Sequence, residues 1–236
     1  QMCIRDSFSS NKIFGDNESM LIGSDIHLKL NENNSIVFKL LSSKYEPAYN
    51  ATLFASNYLN YNWNNELENV ESNQFSLLLN FPKILDVNID YHSLNNFVQF
   101  EKTNLSTTST DEVYAIIPIQ YNEKIDFYRI NINKKITFGK FTFDSRFLYQ
   151  KSSYESKISF PEIVTRNTLF FSTEMFKKAL FIQSGFSFKY FSSFYMKGYD
   201  PILSELYVQN HRLFGDFPLI DFFINAKIQQ TRLFLK

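Results

Sequence analysis

The chain of 236 residues carries 24 Lys plus Arg against 24 Asp plus Glu, so no net field draws in nucleic acid or an anionic membrane surface. Aromatic residues make up 18% (27 Phe, 14 Tyr, 1 Trp), and 6 Gly with 6 Pro are too few for a disordered chain. The single cysteine, Cys3, excludes an internal disulfide framework and a cysteine-based zinc site. No run reaches the roughly 18 apolar residues of a transmembrane helix, a test that barrel strands escape because their signal alternates.

Gln1 to Ser7 (QMCIRDS) shares no pattern with the rest of the chain and is set apart as a remnant; residues 8–236 are read as one β-barrel domain, incomplete at both ends. Ile26, Leu28 and Leu30 alternate into a polar turn at Asn31 to Ser35, and Ile36, Phe38 and Leu40 alternate out of it. This predicts a hairpin pairing Leu30 with Ile36 and Leu28 with Phe38. Beyond Pro47, Tyr49 to Trp63 (YNATLFASNYLNYNW) reads as a long strand, and Asn64 to Asn73 as a polar loop.

Phe75, Leu77, Leu79 and Phe81 lead into a loop at Pro82-Lys83-Ile84, from which Leu85, Val87, Ile89 and Tyr91 emerge. A three-residue loop sets Phe81 opposite Leu85 and Leu77 opposite Ile89. The reverse face then pairs Asn80 with Asp86 and Ser76 with Asp90. Phe97 to Phe100 is expected to extend the sheet, Leu105 to Asp111 (LSTTSTD) to form a loop, and Val113 to Tyr121 to be a strand weakened by Pro118.

Ile125 to Lys151 carries the clearest signal. Tyr128, Ile130, Ile132, Ile136 and Phe138 alternate up to Gly139-Lys140, after which the parity switches to Phe141, Phe143, Phe147 and Tyr149. A two-residue type II′ turn, with Gly139 taking positive φ, explains the switch. It pairs Phe138 with Phe141, Ile136 with Phe143, Ile132 with Phe147 and Ile130 with Tyr149. The other face then reads Thr137 with Thr142, Lys135 with Asp144 and Asn133 with Arg146.

A polar loop at Lys151 to Lys157, a strand from Ile163 to Phe171 and a turn at Thr173 to Lys178 come next. Leu180 to Tyr190 alternates again, Tyr199-Asp200-Pro201 opens a loop, and Ile220, Phe222, Ile224, Ala226 and Ile228 form the last alternating set. Period two dominates, with roughly ten to thirteen strands and no amphipathic helix. Strands of globular proteins run about 5 to 6 residues, whereas the arms here run about 8 to 13, the length of a tilted transmembrane strand. The fold class is therefore all-β, a partial antiparallel up-and-down transmembrane β-barrel. A count of three passages between the first two short turns conflicts with the rule that such turns share one side of a barrel.

Tyr149-Gln150, Phe160-Pro161, Met175-Phe176-Lys177-Lys178-Ala179-Leu180, Gly185, Tyr199-Asp200-Pro201 and Val208-Gln209-Asn210 stand in a fixed order. Gly215-x-x-Pro218-x-x-Asp221-x-Phe223-x-Asn225-x-Lys227 and Arg232-x-Phe234 continue it, and Tyr61-Asn62-Trp63-Asn64-Asn65 precedes it. In order and spacing this set resembles the putative porins of Bacteroidota outer membranes, from about Phe38 onward. The resemblance implies a pore in the bacterial outer membrane, with outer-membrane lipid and small polar solutes as partners, no nucleic acid and no cofactor. It assigns no oligomeric state. Such barrels end on a terminal aromatic, so the ending Leu233-Phe234-Leu235-Lys236 is read as truncation.

Asp86, Asp90, Arg129, Lys135, Asp144, Arg146 and Lys227 lie on polar faces and are candidates to line the lumen, where mixed charges tune selectivity. The plainer alternative is a solvated sheet face. Trp63, Tyr58 and Tyr61 fit either an interfacial aromatic girdle or ordinary core packing. His27, His92 and His211 are too scattered for a metal site, and Ser93 points away from its neighbour His92, so no catalytic set emerges. Two further functions stay open: a soluble all-β protein binding a ligand or polysaccharide, and the barrel of an energised nutrient receptor.

Overall fold

Alternating residues become long strands here, and residues that break the alternation become a folded layer at one edge. The computed structural model describes residues 2–12, 18–58, 60–104 and 114–236, with side chains from residue 19 onward. The first strands, β1 (Met2–Lys12), β2 (Glu18–Lys29) and β3 (Ser35–Tyr45), form a meander. A one-turn helix, α1 (Tyr49–Thr52), and two short strands, β4 (Leu53–Phe54) and β5 (Trp63–Asn64), come next. Then β6 (Val70–Phe81) pairs directly with β3, and β7 (Leu85–Asn95) pairs with β6. The pair β8 (Phe97–Asn104) and β9 (Tyr114–Tyr121) stands outside this sheet. Beyond it lie four long neighbours: β10 (Ile125–Phe138), β11 (Phe141–Ser152), β12 (Ile163–Met175) and β13 (Leu180–Phe191). Short strands β14 (Phe194–Tyr195), β15 (Gly198–Asp200), β16 (Glu205–Val208) and β17 (Leu213–Phe214) precede β18 (Leu219–Ile228) and β19 (Thr231–Leu235).

The main sheet has 11 strands in the order β1-β2-β3-β6-β7-β10-β11-β12-β13-β18-β19. Every neighbouring pair is antiparallel. Among the described residues β1 and β19 are its free edges, so it is an open wall of the expected up-and-down barrel. Strand β1 runs through residues 2–7, which the sequence pattern sets apart, pairing Met2 with Leu28 and Ser7 with Gly23.

Two hairpins have the predicted register. In β10–β11 Phe138 faces Phe141 and Ile132 faces Phe147. Gly139 takes φ +60° while Lys140 keeps an ordinary negative φ, the signature of a type II′ turn. In β6–β7 Phe81 faces Leu85 and Ser76 faces Asp90. The first hairpin is displaced by two residues: Leu28, not Leu30, faces Ile36. The Asn31 side chain accepts hydrogen bonds from the backbone N–H groups of Asn33 (3.0 Å) and Asn34 (2.8 Å), closing an Asx turn that draws Leu30 into the loop.

Two other expectations are overturned. Tyr49 to Trp63 is not a spanning strand but α1, β4 and β5, because its aromatic and small residues occupy both parities and define no face. Phe97 to Phe100 does not extend the main sheet; after Asn96, at φ 56°, β8 turns away to pair with β9 and β16. The Leu105 to Asp111 loop lies outside the described residues.

These corrections remove the three-passage conflict. Only β3 and β6 lie between the first two short turns, so the connections 30–34, 82–84, 139–140, 176–179 and 229–230 fall on one edge. The long connections 46–69, 96–124, 153–162 and 192–218 fall on the other. Short turns at one edge and long loops at the other is the layout of outer-membrane barrels.

Buried apolar residues obey the same division. Ala51, Phe100, Ile116 and Leu203 form one cluster, with Trp63 and Tyr207 packed on it. Tyr121, Ile125 and Ile158 form another, with Phe127, Tyr154 and Phe160. Among the described residues, every buried apolar residue sits in the long-loop layer or at the first residue of a sheet strand (Val70, Ile125). Trp63 stacks on Phe54 at 5.2 Å, and its Nε1 donates to the Asn50 carbonyl, so it is a core residue of the cap rather than part of a girdle. Tyr58 is exposed, while the Tyr61 hydroxyl donates to Asp200 across the cap, 2.8 Å away.

Candidate functional site

Strand pairing assigns every main-sheet residue to one of two faces, since residues opposite each other share a face and successive residues alternate. One rung of the first face reads Leu28, Ile36, Leu79, Val87, Ile132, Phe147. A second reads Ile136, Phe143, Leu169, Phe186, Phe222. This apolar face is uncovered: Leu40 and Phe138 are each 58% exposed and Ile220 is 68% exposed. Lys134, Ser145, Thr165 and Asn167 interrupt it, and Lys44, Glu71, Asp126 and Lys151 lie on it beside the long-loop edge. The Lys134 ammonium reaches back to the carbonyls of Lys83 and Ile84 at the short turn, and Asn167 accepts from Ser145 at 2.6 Å.

The opposite face carries most of the sheet's charges. All seven candidate residues share it, on four rungs. Asp90 and Arg129 belong to Asp25–Lys39–Ser76–Asp90–Arg129–Gln150. Asp86 and Arg146 belong to Asn80–Asp86–Asn133–Arg146–Arg166–Lys189. Lys135 and Asp144 open Lys135–Asp144–Thr168–Ser187–Asp221. Lys227 lies on Glu174–Phe181–Lys227–Arg232 beside the short-turn edge.

Their engagement differs. Asp90, 7% exposed, is a hub that accepts from Ser76 (2.6 Å), Asn88 (3.0 Å) and Arg129 (2.8 Å). Asp86 accepts from the backbone N–H of Phe81 at 3.0 Å and so fastens the Pro82 turn. Lys135 and Asp144 are opposite in register but form no ion pair; Asp144 instead lies 3.9 Å from Arg146 Nε. Sequence reasoning missed Arg166 and Lys189, which continue the Arg146 rung, and Lys189 is 2.7 Å from Asp221. The signal was obscured because Thr165 and Asn167, flanking Arg166, are polar on the other face as well.

A groove of about 490 Å³ lies along this face, walled by Asp144, Arg146, Arg166, Lys189, Asp221 and Asn225 among others. A second, of about 420 Å³, lies nearer the cap between Asp90, His92, Arg129, Gln150, Phe127 and Phe160. The cap is tied together by the Lys157–Glu101 ion pair (2.8 Å), the Asn50–Glu205 hydrogen bond (2.6 Å) and the Tyr61–Asp200 bond. His27 is bonded to Asp25 at 2.6 Å, and among the described residues no group of three metal-ligating side chains converges.

Comparison with known proteins places this geometry. The siderophore receptor PirA from Acinetobacter baumannii superposes with a TM-score of 0.52 at 11% identity, over 91% of this chain and 35% of that one. The likeness is one of fold, and this chain spans about a third of that receptor's length. No curated protein matches the chain. A family model described as putative porin matches residues 7–236. The uncovered apolar face, the charged reverse face and that match over nearly the whole chain agree: the chain belongs to the putative porin family.

Proposed function

We propose that this chain forms part of the wall of a bacterial outer-membrane porin, apolar face to lipid and charged face to water, through which small polar solutes diffuse passively. The observation that carries the reading is the uncovered apolar face of the sheet. Each Phe, Leu or Ile left in water forfeits about 1.5–3 kcal/mol of burial, which hydrocarbon supplies in place of a second protein layer. A soluble sandwich would bury this face against another sheet. Asp86, Asp90, Arg129, Lys135, Asp144, Arg146 and Lys227 then line the lumen and bias which ions enter. No bond is made or broken in this function; the chain is a channel and not an enzyme.

Family membership favours a porin over an energised receptor, because the likeness to the siderophore receptor is one of fold alone. The deciding experiment reconstitutes the full-length protein in planar bilayers and liposomes. Stepwise conductance and swelling in small sugars are expected. A protein that is monodisperse and β-rich in buffer without detergent would refute the reading.

A further inference from the structure

The rung Asn133–Arg146–Arg166–Lys189 sets three cations side by side on β11, β12 and β13. Like charges directly opposite destabilise a sheet, and other rungs avoid this by facing Asp25 with Lys39, Asp90 with Arg129 and Lys135 with Asp144. The like-signed pair Lys227–Arg232 sits beside the 229–230 turn at the sheet's edge, whereas Arg166 lies in the interior of its strand. Lys189 has Asp221 at 2.7 Å, and Arg146 has Asp144 at 3.9 Å. Arg166, between them, has neither an ion pair nor a side-chain hydrogen bond among the described residues. It borders the 490 Å³ groove together with the hydroxyl-bearing Thr168 and Ser187.

A guanidinium flanked by two cations, with no ion pair or side-chain hydrogen bond among the described residues, gains no polar partner from the sheet itself. It is suited to a small anion, which its planar fork grips through two parallel hydrogen bonds while the flanking charges add attraction. We propose that Arg146, Arg166 and Lys189 form a binding site for small carboxylate- or phosphate-bearing solutes in transit, with Arg166 as the direct ligand. The inference rests on the polar face lining the pore.

The test uses the full-length protein in planar bilayers in potassium chloride, with inorganic phosphate added. Phosphate should lower wild-type single-channel conductance saturably. Arg166→Gln should raise the half-blocking concentration about tenfold, equivalent to about 1.4 kcal/mol. Arg166→Lys, which keeps the charge and loses the fork, should fall between them. If Arg166→Gln fails to fold, Arg146→Gln must weaken the block severalfold. Channels that phosphate does not block, or blocks equally in wild type and variants, overturn the site and leave the porin reading standing. Absence of any channel overturns both.

Discussion

Asp90 on β7 and Arg129 on β10 lie directly opposite each other, and the guanidinium Nε and Nη2 both reach one carboxylate oxygen, at 2.8 and 2.7 Å. With Ser76 and Asn88 also donating to it, this carboxylate joins three strands of the charged face. Asp90→Asn should cost about 1.5 kcal/mol, the lower end for hydrogen bonds to a charged group, because half-exposed Arg129 can turn to water. The urea midpoint of the full-length protein folded in lipid vesicles measures it. An unchanged midpoint would mean that the hub contributes nothing to stability.

Which face meets lipid is tested one residue apart. Ile132, in mid-strand, sits between Val87 and Phe147, whereas Asn133 sits between Asp86 and Arg146 on the other face. Ile132→Arg should destabilise the folded protein in vesicles by about 2–4 kcal/mol, the cost of a cation on the lipid face near the midplane. Asn133→Arg should cost far less, since Asp86 offsets repulsion from Arg146, and should shift the reversal potential toward anions. An unchanged ion preference would argue against this face lining the pore.

Gly185 on β13 faces Phe170 and Phe223, whose rings approach to 6.5 Å. A Cβ there would run into the Leu169 carbonyl oxygen and stand 2.6 Å from Phe170 Cβ, contacts that only a shift of the neighbouring strand relieves. Gly185→Ala should therefore cost about 1–3 kcal/mol, as overpacking does. Thermal unfolding in detergent reads this directly; a variant as stable as wild type would show that β12 yields freely.

The two edges of the sheet make a prediction about sidedness. An epitope inserted at Asn69, in the long connection before β6, should be labelled by antibody on intact cells. One inserted between Lys177 and Lys178, in the short turn 176–179, should be labelled only after the outer membrane is permeabilised. The reverse pattern would invert the barrel.

In the cap, burial and the neighbouring Asp200 raise the Tyr61 phenol above its ordinary value of 10.0. The stabilisation it provides is thus complete below pH 10 and is lost as pH rises through the raised folded-state value. Limited proteolysis of the loops across that range should show wild type loosening at alkaline pH. Tyr61→Phe, lacking the bond, should be more susceptible throughout and show less change with pH.

Legibility varied with how local the physics was. Gly139-Lys140 and Pro82 to Ile84 fix their hairpins because turn chemistry and side-chain parity point to one register. Asn31 defeats that reasoning, since its carboxamide shifts the five-residue loop by one position, drawing in Leu30 and releasing Ser35 to pair with Lys29, through bonds that alternation does not reveal. Tyr49 to Trp63 looks like strand because aromatics favour strands, yet its two faces are not different. It folds by packing on Phe100 and Leu203, more than thirty residues away in sequence. Arg166 was hidden for the related reason that its meaning lies in the neighbours opposite, Arg146 and Lys189, which only the pairing of β11, β12 and β13 identifies.

The displaced hairpin at Asn31 also bears on how such a wall can evolve. A slip of two residues leaves Ile26 and Leu28 on the same face as Ile36 and Phe38, whereas a slip of one would send the first pair to the opposite face from the second. Inside and outside are therefore written in odd and even numbers. Turns can gain or lose residues in pairs and carry a strand up or down through the membrane with its wetting intact. A single inserted codon within a strand turns everything between it and the next turn inside out.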